Sequence, residues 1–194
     1  MQAIIIPMGL KGSRPDASAP AIDAAGAAIW RNNAAAKGVS LWLDAKGTGP
    51  GDGRLFLVTT VDEAYEVQVE ITVPAGGIGG LILFYNEKTF IGLTSDGNEF
   101  TFYQDAATAT REPNSFGGHF FLKIINLRNR CALLAGADGK TWTGLMADVN
   151  VCRLQHDSFL GFLTLRLGLM AAGSGEVKFD HFTYKAMNCE AANR

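Results

Sequence analysis

Two glutamates on one predicted strand, Glu66 and Glu70, are the residues with the clearest capacity for catalysis. Paired carboxylates cleave glycosidic bonds when the carboxyl groups lie about 5 to 5.5 Å apart in retaining enzymes, or about 6.5 to 9.5 Å apart in inverting ones. Strand positions four residues apart have Cα atoms about 13 Å apart, so only leaning side chains narrow this gap. The intervening Gln68 is neutral and cannot shift a neighbouring pKa by charge. The row fits a solvated strand face or a ligand-binding surface better than a hydrolase or lyase active site.

Aromatic and polar side chains elsewhere in the sequence have the chemistry of a sugar-binding site. A flat ring covers the apolar side of a sugar, while carboxylates, amides and cations bond its hydroxyl groups. The candidates are Trp42, Tyr85, Tyr103 and Trp142 among the aromatic residues, and Glu66, Gln68, Lys123 and Arg166 among the polar ones. Tyr85 alternates with Leu81 and Leu83, so it fits a core ring equally well. Arg166 must point away from an apolar face, and either lines a groove or pairs with a glutamate such as Glu66.

Other catalytic templates are absent from the sequence. His119, His156 and His181 are too widely spaced for the H-E-x-x-H zinc motif, and no G-x-S-x-G segment presents a serine nucleophile. No complete G-x-G-x-x-G follows a predicted strand, so a dinucleotide is not indicated. Gly139-Lys-Thr resembles the end of a phosphate-binding loop, but Leu134 occupies the position of its first glycine. No cofactor is therefore expected.

The composition predicts a folded domain with a sizeable core. The 194 residues carry 17 basic and 19 acidic side chains, a formal net charge of −2, and 47% are hydrophobic while 19% are charged. This charged share lies below the usual value of about 25%. Without a basic patch, neither nucleic acid nor an anionic membrane surface is an expected partner. The chain has no C-x-x-C pair, no positively charged region at its start and no N-glycosylation sequon, so a cytoplasmic location is expected.

Short alternating segments dominate the chain and predict the elements that position these residues. We expect a single domain over residues 1–194, with an irregular Ala- and Gly-rich segment over 1–53 that carries short strands at 3–6 and 39–43. From residue 54 onward, β-branched and aromatic segments alternate with Gly, Asn and Asp turns, which predicts about twelve strands. The turn at Asp138-Gly139 is a strong hairpin signal. The expected architecture is all-β, a two-sheet antiparallel β-sandwich with its core over residues 54–186.

Several segments share their order and spacing with a known family. In the second half they are Asp138-Gly-Lys-Thr-Trp142, Gly161-Phe, Leu165-Arg-Leu-Gly-Leu-Met-Ala-Ala-Gly-Ser-Gly175 and Val177-Lys-Phe-Asp-His-Phe-Thr-Tyr184. Upstream they are Ala64-Tyr-Glu-Val, Gly80-Leu-Ile-Leu-Phe-Tyr and Phe121-Leu-Lys-Ile. Over roughly residues 54 to 186 the chain resembles the concanavalin A-like lectin/glucanase superfamily. It looks closest to the β-sandwich modules that follow the propeller in β-xylosidase-type glycoside hydrolases, and to their stand-alone relatives of unknown function.

The resemblance implies a jelly-roll-like sandwich whose concave sheet holds an extended saccharide without catalysis of its own. It also implies that Trp142 packs structurally. Some relatives hold a structural calcium near the last strands, which points to Asp180, although one carboxylate falls short of the six to eight oxygens that calcium prefers. The resulting hypothesis is a carbohydrate-binding or carbohydrate-associated module with an oligosaccharide ligand. Its expected binding residues are Trp42, Glu66, Gln68, Tyr85, Tyr103, Lys123 and Arg166. The alternatives are a module that binds a protein partner, and a glycan hydrolase or lyase that uses Glu66 and Glu70.

Overall fold

The computed structural model describes residues 3–7, 29–32, 39–60, 62–104, 106–152 and 165–187, which form fourteen β-strands. In chain order these are β1 (Ala3–Pro7), β2 (Ile29–Asn32), β3 (Val39–Asp44), β4 (Arg54–Thr59), β5 (Ala64–Thr72), β6 (Gly77–Asn86), β7 (Thr89–Ser95), β8 (Glu99–Gln104), β9 (Ala107–Pro113), β10 (His119–Leu127), β11 (Arg130–Gly136), β12 (Thr143–Asn150), β13 (Arg166–Gly173) and β14 (Glu176–Ala186). Gly97 and Gly139 adopt positive φ in the turns between strands, a conformation that glycine adopts without steric cost.

The strands form two seven-stranded sheets. The first has the order β1-β4-β13-β6-β7-β8-β9, and the second has the order β12-β11-β10-β5-β14-β3-β2. Neighbouring strands are antiparallel, except that β1 runs parallel to β4 at the edge of the first sheet. The prediction of an all-β, two-sheet β-sandwich is confirmed.

The main core lies between the two sheets and is built by side chains that alternate along each strand. On β5, Val67, Val69 and Ile71 are fully buried in this core, while the residues between them are partly exposed. This is the period of two that the sequence predicted. On β6 both faces are buried, because Leu83 faces the main core while Ile82 belongs to a second apolar cluster.

The second apolar cluster lies on the outer face of the first sheet. It contains Leu55, Leu57, Ile82, Phe84, Phe90, Met170 and Ala172, with Ile78 and Tyr103 packed against it.

The glycine-rich loop over residues 47–53 approaches this face closely. A Cβ at Gly49 would lie 3.4 Å from the Tyr103 hydroxyl, and one at Gly53 would lie 3.3 Å from the Met170 sulfur. Asp52 holds the loop closed by accepting hydrogen bonds from the backbone N–H of Thr48 at 2.8 Å and of Gly49 at 3.0 Å. These bonds, led by that from Thr48, hold the pKa of the Asp52 carboxyl below its ordinary value.

The segment predicted as irregular, residues 1–53, contributes strands to both sheets. β1 and β3 occur close to the two predicted short strands, and β2 is a further strand that the sequence did not predict. Because β3 lies between β14 and β2, it is part of the second sheet. The division of the chain at residue 54 stays a prediction. His156 and Gly161 lie outside the described residues. No helix in the described part of the chain has the length and apolar character needed to cross a bilayer.

Candidate functional site

The outward side chains of β3, β14, β5 and β10 form a largely polar surface on the second sheet, here called the polar face, which also includes the apolar Phe121 and Ile125 of β10. Its members include Trp42, Lys178, Asp180, Glu66, Gln68, Glu70 and Lys123. The strand register places Lys123 opposite Gln68 on one side of β5, and Asp180 opposite Glu70 on the other. Side chains directly opposite each other on neighbouring strands have Cβ atoms about 5 Å apart, so the register brings these groups into contact.

Glu66 and Lys123 form an ion pair that continues onto an indole ring. The Lys123 Nζ donates to Glu66 Oε1 at 2.7 Å and lies 4.4 Å from the centre of the Trp142 ring. The side chain of Lys123 is only 11% exposed, whereas that of Glu66 is 31% exposed. Partial removal of water strengthens both the ion pair and the cation–π contact. Trp142 is half-buried beside this pair, so it packs against polar groups of the outer face.

The hairpin turn between β11 and β12 fixes the position of Trp142. Asp138 Oδ1 accepts hydrogen bonds from the backbone N–H of Lys140 at 2.9 Å and of Thr141 at 2.7 Å. These bonds, led by that from Thr141, hold the pKa of the Asp138 carboxyl below its ordinary value. A Cβ at Gly139 would lie 2.9 Å from the Phe121 ring, so the turn folds back over the polar face.

A second polar group surrounds Trp42 on β3. The Ser40 hydroxyl donates to the Asp180 carboxylate, and Lys178 Nζ lies 2.7 Å from the other oxygen of that carboxylate. Lys178 Nζ also lies 5.5 Å from the centre of the Trp42 ring. The polar face therefore contains two groups of the same composition, a carboxylate, an ammonium group and an indole ring. One consists of Asp180, Lys178 and Trp42. The other consists of Glu66, Lys123 and Trp142.

Two histidines that sequence reasoning had set aside meet at the centre of the polar face. His119 Nε2 lies 2.5 Å from Glu70 Oε1, and His181 Nδ1 contacts Glu70 Oε2. No pattern in the sequence predicts this contact, because His181 enters the face through a register shift between Asp180 and Thr183 that hydrophobic periodicity does not reveal. The Glu70 side chain is only 16% exposed beneath its two partners.

Three of the predicted binding residues lie on the first sheet and do not meet the others. Tyr85 is 2% exposed in the core between the sheets, the alternative that its spacing had left open. Tyr103 packs against Phe90, with ring centres 5.9 Å apart, on the outer face of the first sheet. Arg166 donates from Nη2 to the Tyr85 carbonyl at 2.9 Å and does not pair with Glu66. Burial lowers the pKa of the Arg166 guanidinium.

Asp180 does not have the surroundings of a calcium ligand. Its carboxylate meets one hydroxyl and the ammonium group of Lys178, whereas calcium needs six to eight oxygen ligands. Among the described residues, no group of three His, Cys, Asp or Glu side chains is arranged to hold a metal ion. The donor set at Asp180 therefore does not fit calcium.

The described residues also contain a small cavity away from the polar face. Its volume is about 10 Å³, and Leu93, Phe102, Leu145 and Met146 are among the residues that line it. A space of this size holds about one water molecule. It lies between the edge strands β9 and β12, where the exposed Glu112 also lines it, and it is too small for a sugar or a cofactor.

Comparison with solved structures identifies the fold. No protein-family model matches the chain, and no curated protein matches it. Among solved structures, the GH43 protein BlXynB from Bacillus licheniformis matches with a TM-score of 0.67 at 15% identity, over 76% of this chain and 33% of that chain. A xylan β-1,4-xylosidase from Bacillus halodurans matches with a TM-score of 0.62 at 16% identity, over 75% of this chain and 32% of that chain. This chain thus spans about one third of the length of these two proteins.

A smaller protein shares the fold over almost its whole length. A functionally unknown protein from Saccharomyces cerevisiae matches with a TM-score of 0.52 at 12% identity, over 83% of this chain and 97% of that chain. The predicted resemblance, to a sandwich found both within GH43 proteins and as a stand-alone chain, is therefore confirmed. At these identities the likeness concerns the fold.

Proposed function

We propose that this chain is a non-catalytic carbohydrate-binding module and that the polar face is its binding surface. The observation that carries the proposal is the group formed by Glu66, Lys123 and Trp142. An indole ring offers a surface for the apolar side of a sugar, and the adjacent ion pair holds hydrogen-bonding groups in place before a ligand arrives. An ammonium group has three donors and a carboxylate has about four acceptor positions, so both can bond sugar hydroxyl groups without breaking their mutual contact.

The spacing of the two tryptophans favours an extended ligand. Trp42 is on β3 and Trp142 lies beside β11, so four strand intervals separate them in the second sheet. At about 4.8 Å per interval, the two rings are about 19 Å apart. One sugar ring cannot contact both of them. A chain of several sugar rings laid across the strands would meet both tryptophans and the charged groups between them.

The relatives indicate which saccharide to test first. The neighbours from Bacillus include a xylan β-1,4-xylosidase, and fold similarity alone does not carry a substrate from one protein to another. Xylo-oligosaccharides are nevertheless the natural first probe, with β-glucan oligosaccharides as a comparison.

A hydrolytic use of Glu66 and Glu70 has less support than binding. The two side chains are engaged by different partners, since Glu66 bonds to Lys123 while Glu70 bonds to His119 and His181. Paired catalysis needs both carboxyl groups to face one substrate bond. The protein-binding alternative requires an exposed apolar patch, and the large hydrophobic residues exposed in the described part of the chain are Leu127 and Met187.

A glycan array followed by titration calorimetry tests the proposal. The purified chain is screened against xylan and β-glucan oligosaccharides, and the affinity for the best ligand is then measured for Trp142→Ala and Glu66→Gln. Glu99→Gln is the matched control, because Glu99 is also a strand glutamate paired to a cation, but its partner is Arg111 on the first sheet. Circular dichroism checks that each variant is folded.

We expect Trp142→Ala to weaken binding by about tenfold or more, as the loss of a buried aromatic contact does at other interfaces. Glu66→Gln should weaken binding less, and Glu99→Gln should leave it unchanged. If no glycan binds, the carbohydrate proposal is wrong and a search for a protein partner becomes the next step. If binding survives both polar-face variants, the ligand site lies elsewhere.

A further inference from the structure

The end of the polar face over β10 and β11 carries apolar side chains that the proposed function does not explain. They are Phe121 and Ile125 on β10 and Leu134 on β11, here called the apolar corner. All three are half-buried, and none belongs to either of the two apolar clusters that the described residues form. They therefore lie outside both cores, on the outer surface of the second sheet.

Lys123 lies in the middle of the apolar corner. It is two positions from both Phe121 and Ile125 on β10, and the strand register places it directly opposite Leu134. Side chains opposite each other on neighbouring strands have Cβ atoms about 5 Å apart. The ammonium group has three N–H donors, and one of them bonds to Glu66 at 2.7 Å. The remaining donors are thus held beside an apolar side chain.

The neighbouring edge strand leaves one side of Leu134 uncovered. Gly144 on β12 is the register partner of Leu134, and a Cβ at Gly144 would have no atom within 4 Å. Any other residue at this position would place a side chain next to Leu134 on the same face of the sheet. The open space beside Leu134 above Gly144 is here called the notch. A Cβ at Gly136, by contrast, would lie 3.5 Å from the Trp142 ring, so the indole covers the next outward position of β11.

The chemistry of an acetyl group matches this arrangement. Its carbonyl oxygen accepts hydrogen bonds, and its methyl group gains free energy by leaving water. Lys123 supplies a donor for the carbonyl oxygen, and the notch beside Leu134 supplies apolar contact for the methyl group. A sugar hydroxyl group would use the same donor but would leave the notch empty.

We infer that the polar face recognises acetylated saccharides, with Lys123 as the donor to the acetyl carbonyl and the notch as the site of the methyl group. The inference rests on the proposed function and adds the class of saccharide. The same group occurs in saccharides in two forms, as an O-acetyl ester and as the N-acetyl amide of an amino sugar. The two forms are separate arms of the test.

Titration calorimetry with matched probes tests this inference. O-acetylated xylo-oligosaccharides are compared with the same preparation after alkali has removed the acetyl groups. N-acetylglucosamine oligomers are compared with β-1,4-linked glucose oligomers of equal length. Burial of one methyl group contributes a factor of about four in affinity. We therefore expect at least one acetylated probe to bind about fourfold tighter than its unsubstituted partner.

Filling the notch separates this site from the rest of the polar face. Gly144→Val places a branched side chain beside Leu134, and Gly144 is not one of the glycines with a positive φ, so its backbone accepts a valine. This variant should bind the acetylated and unsubstituted probes with equal affinity. Thr72→Val is the matched control, because it places the same side chain on β5 of the same face, opposite His119 and Lys178 and away from the notch. It should keep the fourfold preference.

A second variant removes the apolar side of the notch instead of filling it. Leu134→Thr takes away the contact for the methyl group and keeps a residue that suits a strand. It should also bind both probes of each pair with equal affinity. Circular dichroism and urea unfolding check that the three variants are folded.

The outcomes distinguish the inference from the proposed function. If the probes bind but neither acetylated probe is preferred, or if Gly144→Val and Leu134→Thr keep the preference, the inference is wrong and carbohydrate binding stands. The apolar corner then only packs around the aliphatic part of Lys123. If no glycan binds, both are wrong. A preference for the ester alone or for the amide alone supports the inference and identifies which kind of saccharide the face takes.

Discussion

The ion pair between Glu66 and Lys123 should make a measurable contribution to stability, because one partner is almost buried. At the observed separation of 2.7 Å, two unit charges attract each other by about 6 kcal/mol at an effective dielectric constant of about 20 and by about 1.5 kcal/mol at that of water. Removing water from the ammonium group cancels much of the larger value. We therefore expect a coupling energy of about 1 to 2 kcal/mol, above the 0 to 1 kcal/mol that is typical of exposed pairs.

A double-mutant cycle measures this coupling directly. Urea unfolding of the wild type, Glu66→Gln, Lys123→Met and the double variant gives the free energy of unfolding of each. The coupling is the part of the double variant's effect that the single variants do not account for. Because the Lys123 side chain is only 11% exposed, the coupling should fall little between 0.05 and 0.5 M NaCl, given that salt mainly screens exposed charges.

An exposed ion pair of nearly the same length provides the control. Arg130 and Asp148 lie 2.6 Å apart with side chains that are 57% and 70% exposed. The same cycle at this pair should give about 0.5 kcal/mol or less, and high salt should remove it. If the two cycles give equal coupling, or if the Glu66–Lys123 coupling is below about 0.3 kcal/mol, the argument from burial is refuted.

Three further predictions concern the scaffold. Gly92→Ala should lower the free energy of unfolding by about 1 to 3 kcal/mol, because the new Cβ would lie 2.3 Å from Cγ2 of Ile82. Gly144→Ala is the control, since a Cβ at Gly144 would have no atom within 4 Å. In urea titrations it should change the free energy of unfolding by less than about 0.5 kcal/mol. Burial raises the pKa of the Cys131 thiol to about 12, so mass spectrometry should find this cysteine unlabelled by a thiol reagent at pH 8 until the protein unfolds. Hydrogen bonds lower the pKa of the Asp138 carboxyl in the folded protein. The stabilisation from this carboxylate is therefore present above the ordinary carboxyl pKa and is lost as the pH falls through the lower folded value. In thermal unfolding, Asp138→Ala should lower the unfolding temperature more at pH 7 than at pH 2.

Alternation along single strands was enough to predict part of the polar face. The period of two on β5 correctly separated Glu66 and Gln68 from the core, and the register brings Lys123 to the same face. Side-chain chemistry grouped Tyr85 and Arg166 with them, although both belong to the first sheet. Alternation tells which side of a strand a residue occupies, but the sheet that receives the strand depends on long-range pairing.

The histidine pair shows a second limit of periodicity. His119 and His181 are 62 positions apart in the sequence, and only the pairing of both β10 and β14 with β5 makes them neighbours. The bulge adds an irregular step that no repeating pattern contains. The loop over residues 47–53 is a similar case, because its glycines predicted an irregular backbone but not that it lies against Tyr103 and Met170.

The contrast between the two outer faces is the strongest structural support for the proposed binding surface on the second sheet. On the first sheet, the outer face carries a buried apolar cluster that includes Ile82 at 0% exposure, and the loop over residues 47–53 packs against it. On the second sheet, the outer face carries paired charges, and His119 and His181 are 53% and 75% exposed. A sandwich needs only its inner faces for the main core. The chain therefore buries part of the outside of one sheet and leaves paired polar side chains on the outside of the other, which is the surface that the proposed function uses.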